Sequence, residues 1–138
     1  MKAYLGVGSN LGDRRGFIEQ SRQKLEKNEV YVLRTSPLYE TEALCKPGET
    51  MPAFINGVFE VETSLSPENL LGVLKNIEKE MGRESKGDWK PRPIDLDILL
   101  YGDLVIDTPD LKIPHPEIQK REFVLRPLKD LLGDQAPL

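Results

Sequence analysis

The chain has 138 residues, 30% charged and 38% apolar, and its 19 Lys and Arg against 23 Asp and Glu leave a net charge of -4. That is the size and balance of one globular domain with its own core, which excludes a disordered or collagen-like chain and argues against a broad basic face for duplex nucleic acid. One cysteine, Cys45, and one histidine, His115, exclude a disulfide framework and a zinc site built from Cys and His.

Ala3, Leu5 and Val7 alternate with Tyr4, Gly6 and Gly8, which predicts a strand over 2–8, and GSNLGDR supplies a tight turn and cap-type residues. Phe17, Ile18, Ser21 and Leu25 then recur at helical spacing, for a helix ending near Asn28. Residues 30–43 are rich in β-branched and aromatic types but hold Pro37, so a bulged or edge strand is expected there. Pro47, Gly48 and Pro52 mark 44–53 as a loop. Over 54–63 one face carries Ile55, Phe59 and Val61 and the other Phe54, Asn56, Val58 and two glutamates, the pattern of a strand. Ser66 and Pro67 open a second helix with Leu70, Val73, Leu74, Ile77 and Met81 inward and Gly82 at its end. A polar loop over 82–93 leads to a strand over 94–102, with Ile94, Leu96, Ile98 and Leu100 expected on its core face. A short VI strand piece, the turn-rich DTPDLKIPHP and a short helix around REFVLRPL complete the chain.

The order βαββαβ predicts an α+β, ferredoxin-like fold, an antiparallel sheet with two helices packed on one face. No apolar run approaches the ~18 residues of a membrane span, and the N-terminus lacks a signal-peptide pattern, so a single cytosolic domain over 1–138 with small partners is expected, without nucleic acid or membrane. Fold alone assigns no activity.

Chemistry concentrates near one strand. Asp95 and Asp97, two residues apart, point to one face with Cα atoms ~7 Å apart. Oxygen ligands in that arrangement suit Mg²⁺, which keeps water and phosphate oxygens in its shell, although solvated charges on an exposed sheet face would give the same pattern. Arg83, Lys86, Lys90 and Arg92 precede them, and His115 and Arg121 follow. This cationic set could hold a polyphosphate or form a solvated loop diluted by Glu84 and Asp88. Gly6, Gly8 and Gly12 miss the dinucleotide spacing by one and no GK[ST] follows, so close backbone packing is their expected role. Phe54 and Asn56 share a face and could stack on and hydrogen-bond a flat heterocycle, core packing of Phe54 being the alternative. Trp89 lies in the polar loop, where contact with a ligand or folding back onto the sheet are both open.

GSNLGDR (8–14), SPLYETEA (36–43), FINGVFEVET (54–63), WKPRPIDLDILLYG (89–102), IPHP (113–116) and REFVLRPL (121–128) occur in one order. With them the chain resembles the 6-hydroxymethyl-7,8-dihydropterin pyrophosphokinase family of folate biosynthesis over residues 3 to 128. The resemblance implies transfer of the β,γ-pyrophosphoryl unit of ATP to the pterin hydroxymethyl group, with two Mg²⁺ ions, AMP and the pterin diphosphate being the products. It implies Asp95 and Asp97 as metal ligands and, with Arg83 and Arg92, as catalytic residues. Phe54 and Phe123 are implied to sandwich the pterin, Asn56 to hydrogen-bond it, and Thr41, Glu42, Ala43 and Leu44 to contact it through their backbone. Arg92, His115 and Arg121 are implied to face the nucleotide, Glu78 and Ile98 to border its pocket, and Trp89 to close over both substrates. The family loop often reads GR-x-R-x-x-RWGPR; here Ser85 and Asp88 replace arginines and Lys90 replaces glycine, leaving Lys86 and Lys90 as substitute charges. A ligand-binding module without turnover and a different Mg²⁺-dependent transferase are the rival readings; the phenylalanine pair and the pterin-side residues weigh against them.

Overall fold

The computed structural model describes residues 1–41, 52–82, 93–118 and 120–133. They form a mixed α/β protein in chain order: β1 (Lys2–Ser9), α1 (Arg14–Lys27), β2 (Val30–Thr35), β3 (Tyr39–Thr41), β4 (Phe54–Thr63), α2 (Pro67–Glu80), β5 (Asp95–Tyr101), β6 (Ile106–Asp107), β7 (Lys112–Ile113) and α3 (Glu122–Leu132). Five strands make an antiparallel sheet of order β2-β4-β1-β5, with β3 paired to β4, and β6 and β7 make a separate two-stranded ribbon.

Alternation in β1 and β4 drives the layering. Ala3, Leu5, Val7, Ile55, Phe59 and Val61 point to one face and bury there with Ile18 and Leu25 of α1 and Leu70, Leu74 and Ile77 of α2. Both helices start where the sequence provides caps: Asp13 Oδ1 accepts from Gly16 N–H, and Ser66 Oγ accepts from Asn69 N–H at 3.2 Å, ahead of Pro67. Gly82 ends α2 at φ +96°, a left-handed conformation that glycine adopts without a Cβ clash.

Pro37 divides the segment expected to be one bulged or edge strand. Without a proline N–H the ladder breaks, and β2 and β3 pair separately with β4 on its outer side. Ser36 bridges the break: its N–H donates to Val58 O at 2.9 Å and its Oγ accepts from Val58 N–H at 2.8 Å.

One expectation is corrected. Leu100 does not continue the core face of β5, because the pairing with β1 shifts between Tyr4 and Leu5. Tyr101 takes the core position, and Leu100 turns toward the cluster of Val58, Leu99, Ile118 and Leu128. The two helices expected on one face, α1 and α2, pack there together, while the third helix lies opposite them. α3 runs to Leu132, well beyond the apolar string that predicted it, and packs with that second cluster on the opposite side, so Val58 and Glu60, on the polar-looking face of β4, are buried. The loops expected over 44–53 and 82–93 fall largely outside the described residues; Pro52 and Ala53 have no regular structure.

Candidate active site

Strand register sets the floor of the site. Asp95 of β5 pairs with Gly8 of β1, Gly8 with Asn56 of β4, and Asn56 with Tyr39 of β3, a single row across four strands. The next row on the same face is Asp97, Gly6 and Val58. Directly paired residues project to the same side of an antiparallel sheet, so both aspartates stand beside glycines, which leave room above the strand between them and Asn56. A Cβ on Gly8 would lie 2.6 Å from Asn56 Oδ1, so this glycine makes space for that amide. Asn56 is buried, and its Nδ2 donates to Thr41 Oγ1 at 2.7 Å, which fixes the orientation of the side chain.

Helix α3 covers half of this face and leaves a cleft over the rest. Gly6, Gly8, Asn56, Asp95, Asp97, His115, Glu117, Arg121 and Phe123 line it. Phe54 flanks the same end, its Cδ1 lying 3.5 Å from a Cβ built on Gly8. Arg121 sits just before α3, 3.3 Å from Glu117 in an exposed ion pair, with its guanidinium 5.6 Å from the Phe123 ring centre. His115 is tethered at both ends: its N–H donates to Leu99 O at 3.0 Å, and its Nδ1 accepts from Glu117 N–H at 3.1 Å. That second bond leaves Nε2 to carry the proton of the neutral ring.

A second cleft opens beyond β5, bordered by Leu71, Lys75, Ile98, Leu111, Lys112 and Pro116. Asp97 and His115 belong to both clefts and mark where they meet. Glu78 lies apart from either lining: it is buried on α2, and its Oε2 accepts from Leu96 N–H at 2.9 Å, tying α2 to the start of β5. Ile98 is a core residue whose edge reaches the second cleft. Thr41 ends β3 beside Asn56. Glu42, Ala43, Leu44, Arg83, Lys86, Trp89, Lys90 and Arg92 lie outside the described residues.

Several contributors escaped sequence reasoning. Arg14 Nη1 donates to Ala53 O and its Nη2 pairs with Glu40, both at 2.9 Å, and Asn10 Nδ2 donates to Pro52 O at 3.2 Å. These bonds anchor the chain just before Phe54, and the only signal was the GSNLGDR string that contains them. Glu60 is buried beneath α3 between Tyr4, whose hydroxyl donates at 2.7 Å, and Arg34, which also donates to Leu131 O at 2.8 Å. The Arg34 hydrogen bonds hold the Glu60 carboxyl below its ordinary range, while burial, reinforced by Glu60, pushes the Tyr4 hydroxyl up to about 12.

The donor set fits a hard cation. Among the described residues no group of three or more His, Cys, Asp and Glu forms a self-sufficient metal cage. Two carboxylates on one face, with space beside them, match the partial ligand set that Mg²⁺ completes with water and phosphate oxygens.

Fold and site together define a mixed α/β protein with a paired-carboxylate cleft between a sheet and a helix. The sequence pattern of the 7,8-dihydro-6-hydroxymethylpterin-pyrophosphokinase family matches residues 4–133, and the chain belongs to that family. It is 47% identical over 131 residues to the folic acid synthesis protein fol1 of Pneumocystis carinii, covering 95% of this chain and 17% of that protein. It is 44% identical to the 2-amino-4-hydroxy-6-hydroxymethyldihydropteridine pyrophosphokinase of Aquifex aeolicus, covering 93% of this chain and 78% of that one. The enzyme of that name from Pseudomonas aeruginosa is 42% identical, with 96% and 82% covered. The chain thus spans under a fifth of the fol1 protein but about four fifths of the bacterial enzymes. Its fold is also that of a crystal structure described as HPPK-DHPS in complex with substrates, with TM-score 0.70 at 15% identity over 94% of this chain and 41% of that one.

Proposed function

We propose that this protein transfers the pyrophosphoryl group of ATP to 6-hydroxymethyl-7,8-dihydropterin, forming AMP and the pterin diphosphate for folate synthesis. The observation that carries the reading is the position of Asp97 and His115 at the junction of two clefts, with Asp95 beside them, in a chain of this family. The pterin occupies the cleft of Asn56 and Phe123. There the Asn56 amide, oriented by Thr41, reads the edge of the heterocycle while Phe54 and Phe123 supply apolar ring faces. The nucleotide occupies the second cleft, with its base against Leu71, Ile98 and Leu111 and its phosphates directed to Asp97 and His115.

Asp95 and Asp97 would hold two Mg²⁺ ions, which would supply neutralisation of the phosphate charge. The chain's own residues do the remaining work by positioning. His115 Nε2–H and the Arg121 guanidinium are donors for phosphate oxygens, stabilising charge that builds on the transferred group. The family resemblance assigns Arg83 and Arg92 to the phosphates, Trp89 to both substrates and Glu42, Ala43 and Leu44 to the pterin, all of them outside the described residues. Glu78 supports the nucleotide side through the hydrogen bond that it accepts from Leu96 N–H. In-line displacement at the β-phosphorus needs no covalent intermediate, so orientation and charge neutralisation supply most of the acceleration.

The same reading takes the fold as ferredoxin-like, since β1, α1, β2, β4, α2 and β5 follow βαββαβ with β3 added at the edge, and it places the protein in the cytosol as a single domain. Among the described residues no helix is long and apolar enough to cross a membrane. Incubation with Mg-ATP and the reduced pterin, followed by mass identification, tests the activity: AMP and a pterin diphosphate are expected, whereas ADP with a pterin monophosphate, or no consumption of pterin, would contradict it.

A further inference from the structure

Pro127 lies inside α3, where it has no N–H to give the carbonyl of Phe123, so the helical ladder is interrupted between the turn at the cleft and the turn packed deepest on the sheet. Tyr39 spans that interruption. Its ring carries the Arg126 guanidinium 4.7 Å from the centroid, on the cleft side of the proline, and its hydroxyl donates to Asp130 Oδ2, on the far side. Tyr39 is also the register partner of Asn56, at the end of the row that contains Gly8 and Asp95.

We infer that Tyr39 is a positioning residue, which splints α3 across Pro127 and locks Arg121 and Phe123 at a fixed distance from the Asn56 wall of the cleft. The inference rests on the pterin reading for its consequence, not for its geometry. A helix rises ~1.5 Å per residue, which puts Phe123 about 6 Å along the axis from the proline. A tilt of ~10° at the proline would then shift Phe123 by roughly 1 Å, enough to misalign a stacked contact without unfolding anything. The Asp130 hydrogen bond favours the neutral phenol and holds the Tyr39 hydroxyl above its ordinary pKa. Arg34, bonded to Leu131 O and to Glu60, fastens only the far end and cannot replace the splint.

Two readouts separate this role from simple scaffolding. Without any ligand, hydrogen exchange of amides 121–126 should rise in Tyr39→Phe and in Arg126→Ala, while that of β1 and β5 stays at the parent level. With a non-hydrolysable Mg-ATP analogue present, 6-hydroxymethylpterin should bind about 5-fold more weakly to Tyr39→Phe, the scale of one lost hydrogen bond, with affinity for the ATP analogue unchanged. Asp130→Asn keeps an acceptor for the phenol and should bind the pterin within about 2-fold of the parent, whereas Asp130→Ala should behave like Tyr39→Phe. Unchanged exchange at 121–126 in both Tyr39→Phe and Arg126→Ala overturns the splint whatever the protein binds. Raised exchange with unaltered pterin affinity, or equal weakening of pterin and nucleotide, overturns the positioning role. If the parent itself ignores the pterin, the proposed function fails, and the exchange data still decide the splint.

Discussion

Replacing Gly8 by alanine tests the geometry of the site floor with one methyl group. The new Cβ would fall 2.6 Å from Asn56 Oδ1, closer than a Cβ packs against any atom, and Ile55 O and Phe54 Cδ1 at 3.5 Å narrow the remaining room. The Asn56 amide must swing away, which breaks its 2.7 Å bond to Thr41 Oγ1 in a buried setting. Overpacking costs ~1 to 3 kcal/mol and a lost buried hydrogen bond adds ~1, so Gly8→Ala should lower unfolding stability by about 2 to 4 kcal/mol. A displaced amide can no longer read the heterocycle, and pterin affinity should fall about 10-fold, equivalent to ~1.4 kcal/mol. Nucleotide affinity should hold, because the atoms nearest the new methyl group belong to Asn56, Ile55 and Phe54, which do not border the second cleft. Urea unfolding gives the first quantity and calorimetry with an ATP analogue present the second. Stability within about 0.5 kcal/mol of the parent, together with unaltered pterin binding, would refute the packing argument at Gly8.

Glu60→Gln should flatten the acid limb of stability. Arg34 depresses the native Glu60 pKa, so its stabilisation is present above the ordinary value of 4.5 and lost as pH falls through the depressed value, and urea midpoints from pH 7 down to 3 should show the parent losing more than the variant. At the alkaline end, the raised Tyr4 pKa of about 12 contributes stability that is complete below 10 and fades between 10 and 12, a loss that Tyr4→Phe should remove from the same titration. Leu128→Ala empties a fully buried position beneath α3, and thermal or urea unfolding should show a loss of ~2 to 5 kcal/mol. Ser66→Ala deletes the cap of α2 and should cost about 1 kcal/mol with substrate affinities unchanged, as measured by the same unfolding and calorimetry.

What the sequence disclosed follows from how local each signal is. Period-two alternation in β1 and β4 and the 3.6-residue stripe of α2 depend only on near neighbours, and the structure contains all three. The interruption at Pro37 was legible because proline lacks a donor, but its resolution into two paired strands depends on Ser36 and Val58, 22 residues apart. Placing α3 on the second face was beyond periodicity, since Val58, Glu60 and Leu100 look like a mixed polar surface until Arg34, Tyr4 and Leu128 meet them from distant segments. The Leu100 error has the same origin, as a register shift against Tyr4 and Leu5 belongs to the pairing of two strands. In the site, Asp95, Asp97, Asn56 and Gly8 were visible as unusual residues on predicted strands. Their alignment in adjacent rows needed the register, and the roles of Arg14 and Tyr39 needed side-chain contacts over 26 residues or more.

In the proposed reaction, Asp97 at the junction of the two clefts and Asp95 beside it support pyrophosphoryl transfer. Phosphorus NMR of Mg-ATP with 6-hydroxymethyl-7,8-dihydropterin, run on the parent and on Asp95→Asn and Asp97→Asn proteins checked for native unfolding transitions, tests it directly. The parent should convert ATP to AMP and a diphosphate ester, and each variant should lose at least about 100-fold in rate at saturating Mg²⁺, the scale of ~2.7 kcal/mol of transition-state stabilisation. Turnover by a folded variant at close to the parent rate, or ADP as the parent's product, would contradict the account.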